Sequence, residues 1–179
     1  MADTVRAPDA PQPVPPPAPE RIIVSASSAT PGLPSPAWTS VPDRLAVRLG
    51  YAGLAPFVLG ALLAMLVRAE ALAYVVLSLS VYAGMMVAAL GGIHWALAMV
   101  SRTHEPRRLI WSLVPPGLGW VSVMMPPHAG LVIQGAALVA CYLVDRRVYP
   151  AFGLAKWMTL RFRLTFVAAL CCFIAAAAI

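Results

Sequence analysis

Charge is scarce in this chain of 179 residues: 13 Lys and Arg and 7 Asp and Glu make up 11% of it, against 60% apolar residues. The mean hydropathy is +0.79. A soluble globule carries about 25% charged residues, so this inventory cannot cover a water-facing surface. An ordinary cytosolic enzyme and a nucleic-acid-binding domain are excluded on that ground, despite a pI near 9.8. Cysteine is scarce as well. There are three, an odd number, all inside apolar runs, which excludes a disulfide-stapled secreted module. CxxC, HExxH, GxSxG and phosphate-loop patterns are missing. A bis-histidine haem would need two facing intramembrane histidines, and His104 and His128 fall in loops. No cofactor, no metal and no enzymatic activity is expected. What remains is an all-α integral membrane protein.

Residues 1–43 form a first segment, with eleven of the eighteen prolines mixed with Ala, Ser and Thr. Proline withholds backbone donors and large apolar side chains are few, so nothing offsets the entropy of ordering. A disordered Pro-rich tail is expected, without the apolar core of a secretory signal. Residues 44–179 form the second segment, apolar blocks separated by short charged or proline-bearing loops. A span needs about 20 residues, and five fit: about 49–67, 71–100, 109–125, 129–144 and 162–179. Four is the alternative if the segment around Pro115-Pro116, where a helix break is expected, is re-entrant.

With five spans, twelve of the thirteen Lys and Arg residues fall on one side and only Arg68 on the other. The positive-inside bias then puts the N-terminus in the cytoplasm and the C-terminus in the periplasm of a bacterial inner membrane. The partner implied is a bilayer with anionic headgroups rather than nucleic acid. Residues 150–163, PAFGLAKWMTLRFR, mix aromatic and basic side chains. They suit either a helix lying at the headgroups or the ragged start of the last span.

The second span carries Ser80, Gly84, Ala88, Gly92 and Ala96, a small residue at every fourth position. Such a stripe is a seam into which a neighbouring backbone presses, with Gly92 expected to be the least replaceable. His94 is the only ionisable side chain well inside an apolar run. At 100° per residue it points roughly 160° away from Gly92 and Ala96. Polar groups at membrane depth are expensive and mark functional sites. Trp95, Tyr142, Asp145 and Arg146 gather at the same leaflet. Asp145 sits unfavourably at a helix C-terminus and is expected to pair with an arginine from another loop. Together these residues define a candidate cytoplasm-facing polar pocket.

The segments GYAGLAPF at 50–57, GGIHW at 91–95, LVPPGLGW at 113–120, YLVDRR at 142–147 and KWMTLRFRLT at 156–165 carry a family resemblance. Residues 48–179 resemble a group of bacterial inner-membrane proteins of unknown function whose eukaryotic relative is the mitochondrial transmembrane protein 69. The most specific parts are Gly92, His94 and Trp95, followed by Asp145 with its arginines; Pro115-Pro116 stands outside the pattern. The resemblance implies a small helical membrane protein and no particular activity. Two functions follow from the residues. The first is a non-enzymatic bundle that packs with or assembles other membrane proteins or a second copy of itself. The alternative is a small transporter or proton-linked carrier with its pocket around His94.

Overall fold

The computed structural model describes residues 44–100 and 106–179. The proline-rich segment 1–43 and most of the loop around His104 lie outside the described residues. Six α-helices occur among those described: α1 (Arg44–Ala52), α2 (Ala55–Leu66), α3 (Ala69–Val100), α4 (Pro106–Met124), α5 (Pro127–Val148) and α6 (Met158–Ala177). No strand occurs among the described residues.

Small residues fill the inside of the bundle and large ones cover its outside. Ala61, Ala64, Ala83, Ala137, Ala168 and Ala175 are buried, whereas Leu66, Tyr74, Met85, Met99, Trp120 and Leu143 are exposed. An apolar exterior leaves no hydrophobic gain from hiding large side chains, and small interior residues let backbones approach.

Four stretches are long and apolar enough to cross a membrane: Arg44–Leu66, Glu70–Val100, Pro127–Phe152 and Ala155–Ala177. This corrects the expectation that five stretches are long and apolar enough. The stretch that falls short is α4, whose 19 residues include Arg107, Arg108, Ser112, Pro115, Pro116, Gly117, Gly119 and Ser122. Its length suffices and its polarity does not. It nevertheless returns antiparallel along α3, with Ser112 and Pro116 against Gly91 and Gly119 against Gly84. Pro115 and Pro116 do not break it; the helix runs through both. Pro116 has no N–H to give the Ser112 carbonyl. That carbonyl is the one pressed closest to Gly91.

The first expected span, 49–67, is a bent pair of helices. Pro56 stands in the first turn of α2 and cannot bond back into α1. The Gly53 carbonyl, at the bend between the two helices, accepts from the Tyr82 hydroxyl of α3 at 2.8 Å. Phe57 packs edge-on against the same ring, with centroids 5.2 Å apart.

Residues 150–163 adopt no single headgroup helix. Two short 3-10 turns, Tyr149–Phe152 and Ala155–Trp157, flank Gly153 in the left-handed region at φ 73°. Glycine takes that conformation at no steric cost, and it lets α6 begin at Met158, earlier than expected. Arg161 therefore lies in the first turn of α6.

Candidate polar centre

His94, Asp145 and Arg161 meet inside the bundle, one each from α3, α5 and α6. His94 Nε2 lies 2.8 Å from Asp145 Oδ1. Arg161 Nε–H donates to Asp145 Oδ2, also at 2.8 Å. His94 is 0% exposed and Asp145 1%. A carboxylate held by a guanidinium is an acceptor on both oxygens. Nε2 of His94 therefore carries the hydrogen, and in the neutral ring Nδ1 presents a bare lone pair. Nδ1 is buried and has no partner among the described residues. Tyr149 and Cys141, both buried, face the same carboxylate and guanidinium.

Local sequence explains how three distant residues converge. Gly91 lies three residues before His94, about 60° away around the helix. A Cβ there would sit 2.4 Å from the Ser112 carbonyl oxygen and 2.5 Å from Pro116 Cδ. Glycine thus lets α4 close over the face that carries His94. Asp145 occupies the last turn of α5, where its carbonyl accepts the Tyr149 N–H that starts the connector. The two short turns then bring α6 back with Arg161 toward Asp145.

Beside this centre Arg161 Nη2 and Thr165 Oγ1 are buried without partners among the described residues, as are Trp111 Nε1 and Trp157 Nε1 elsewhere in the chain. Thr165 stands one turn after Arg161 on the same face of α6. No group of three or more His, Cys, Asp or Glu placed to hold a metal ion occurs among the described residues.

Of the residues read from the sequence as a pocket, His94 and Asp145 touch each other. Trp95 points outward and is 46% exposed, and Arg146 is exposed. Tyr142 is half-buried, its ring 5.6 Å from that of Phe162. Trp95 is the neighbour of His94 in sequence, so a helix turns it about 100° away. Arg161 was missed as a site residue because basic residues beside a span read as interface anchors.

The seam also moves. Ser80 and Gly84 are buried, and a Cβ on Gly84 would sit 3.1 Å from the Gly119 carbonyl oxygen. Ala88 is half-buried, whereas Gly92 and Ala96 are exposed, and Gly92 would meet nothing within 4 Å among the described residues. Four residues advance the helix by about 400°, so a stripe at that spacing drifts some 40° per step. By position 92 it has left the face that holds Ser80. Gly91, eleven residues on, is within about 20° of it, and Gly91 makes the contact.

A second polar group lies at the far end of the same face. Gln134 of α5 is 0% exposed. Its Nε2 donates to the Ser80 carbonyl at 2.8 Å, to Ser80 Oγ at 3.1 Å and to Ser122 Oγ at 3.0 Å. Ser122 Oγ in turn donates to the Gly119 carbonyl at 2.8 Å. A search for ionisable groups passes over an amide, and that is why the sequence reading did not include it.

Fold and centre together define a helical bundle with an apolar exterior and a buried histidine–carboxylate pair held by a half-buried guanidinium. The chain belongs to the family described as "Protein of unknown function (DUF3429)", which matches residues 42–177 and so includes all three residues of the group. No curated protein and no solved structure matches the chain.

Proposed function

We propose that this chain is a multi-pass protein of the bacterial inner membrane that carries a small solute together with a proton, with His94 as the proton-accepting group. The observation that supports this reading is the bare, buried Nδ1 of His94. Its other nitrogen is fixed by Asp145. That bond sets the tautomer and orientation of the ring. Arg161 holds the other oxygen of that carboxylate in place. Imidazole is also the side chain whose ordinary pKa lies nearest to neutrality.

The course of α4 supports placing Asp145, Arg161 and their neighbouring basic residues at one membrane face. Because α4 runs back from the level of His94 to that of Ser80, α5 starts at the Ser80 end and finishes at the His94 end. On this reading α4 crosses the bilayer shielded by its neighbours, and the N-terminus is cytoplasmic. A reporter fused after Ile179 will be active in the periplasm; cytoplasmic activity there overturns the orientation.

Proton flux in proteoliposomes, read with an internal pH dye, tests the function. Wild type dissipates an imposed proton gradient faster than empty vesicles. His94→Gln and Asp145→Asn each abolish the difference while the protein still folds, and the double variant is no worse than either alone. Additive losses, or full flux in His94→Gln, overturn a shared proton site.

A second reading, a packing or assembly partner for other membrane proteins, is favoured by one observation. Ala89, Gly92 and Ala96 present small residues on the outer face of α3. A defined protein co-purifying with the wild-type chain in native nanodiscs, and lost on Gly92→Leu, supports that role.

A further inference from the structure

A cavity of about 270 Å³ opens beside the polar centre, between α1, α2, α3, α5 and α6. Its wall is apolar for most of its length, with Gly53, Phe57, Leu90 and Leu138 among the lining residues. Two polar side chains, Arg161 and Thr165, also line it. Arg161 Nη2 and Thr165 Oγ1 are buried and have no partner among the described residues. Thr165 is only 5% exposed. The cavity thus has a cationic, donor-bearing part, next to Asp145 and His94, and an apolar remainder.

We propose that this cavity binds a long-chain monocarboxylate, its carboxylate on Arg161 and Thr165 and its single acyl chain along the apolar wall. Two free donors match the two oxygens of a carboxylate, and the guanidinium edge suits that planar group. Asp145 does not occupy this edge, because its oxygens are already bound by His94 and by Arg161 Nε. The size favours one chain over a diacyl lipid, since small-ligand sites begin at about 300 Å³. Each methylene taken from water adds to binding in proportion to its area. The inference names the solute for the carrier reading and rests on it for transport, though not for binding.

The test is saturation binding of radiolabelled palmitate to the full chain in nanodiscs of zwitterionic phosphatidylcholine. Binding is expected to saturate at one palmitate per chain. Unlabelled palmitate displaces it, and neither hexadecanol nor added phosphatidylglycerol does. Thr165→Val keeps the shape and removes one donor, so affinity falls about tenfold or more. Its thermal stability stays near that of wild type, because no internal hydrogen bond is lost. Ala168→Phe, which fills the cavity, abolishes binding.

Non-saturating uptake, or displacement by hexadecanol, means that the chain merely partitions and overturns the proposal. Displacement by phosphatidylglycerol makes the cavity a phospholipid site and overturns it equally, as does wild-type affinity in a folded Thr165→Val protein. Proton flux separates the two readings. Flux without palmitate binding removes only the solute named here, whereas palmitate binding without flux leaves the cavity and removes the carrier.

Discussion

Ser80 and His94 lie about four turns apart on α3, and each anchors a polar group that the bundle buries by different means. Around Ser80 every group is neutral. The Gln134 amide is met by a backbone carbonyl and two hydroxyls, which are present because Gly84, Gly119 and Gly130 bring backbones together there. Around His94 a carboxylate is met by a guanidinium and an imidazole from two other helices. One imidazole nitrogen, Arg161 Nη2 and Thr165 Oγ1 remain unmatched among the described residues. Close packing by itself supplies acceptors for the amide N–H groups, while Gln134 Oε1 keeps no partner among the described residues. A buried charge needs counter-charges brought in from far along the chain, and bringing them in leaves acceptors and donors over. The neutral end locks the bundle, while the charged end keeps the capacity to bind something.

Removing the carboxylate breaks the charged end most severely. Asp145→Ala leaves the half-buried Arg161 without its carboxylate and the buried His94 without its acceptor, for an expected loss of about 3 kcal/mol, read by thermal unfolding in detergent. Combining Asp145→Leu with Arg161→Met recovers most of it, since apolar side chains replace the whole pair. A single variant as stable as wild type would mean that the charges are solvated and the two ends do not differ in kind.

Next in size is the close approach that both ends share. Gly91→Ala places a Cβ 2.4 Å from the Ser112 carbonyl oxygen, where backbone must shift, and costs about 1–3 kcal/mol. Gly92→Ala meets nothing within 4 Å among the described residues and gains up to about 1 kcal/mol in helix propensity. Equal effects at the two positions would place the seam elsewhere.

These neighbouring glycines also show what the sequence could carry. The helical class was legible in the composition, and His94 and Asp145 stood out because charge is so rare in the apolar runs. The sequence nevertheless assigns Asp145 an arginine partner and groups His94 with it only by leaflet. Spacing by fours found Ser80 and Gly84 and then drifted off the face, because helical periodicity is 3.6 residues and not four. Arg161 was hidden by the connector. Its place depends on Pro150 and Gly153 ending α5 in short turns, which no periodicity records. The Tyr82 hydroxyl bond to Gly53 was equally out of reach, since it joins residues 29 apart. For α4, length and polarity gave opposite signals. Its neighbours in the bundle, rather than its own composition, explain how a helix so poor in apolar residues runs beside α3.

A smaller effect is expected at the neutral end. Gln134→Leu removes two N–H donors shared among three acceptors, but Ser80 and Ser122 can turn to backbone carbonyls. Interhelical hydrogen bonds within membranes average about 0.6 kcal/mol, so the loss should be near 1 kcal/mol by thermal unfolding. A loss as large as that of Asp145→Ala would erase the distinction between the ends.

The smallest change in stability, and the sharpest test of the comparison, is His94→Gln. Glutamine keeps one N–H for Asp145 Oδ1, and the lost Nδ1 had no partner among the described residues. Stability should therefore fall by about 0.6 kcal/mol or less. Chemically the substitution rebuilds the charged end with the same amide that serves the neutral end, and an amide does not titrate near neutrality. Proton flux and its pH dependence should disappear together while the melting temperature barely moves. The reverse change, Gln134→His, should confer no flux of its own, because no carboxylate faces residue 134 among its hydrogen-bond partners. If a well-folded His94→Gln protein carries protons as wild type does, the imidazole only packs, and the two ends of α3 are alike in function despite their different charges.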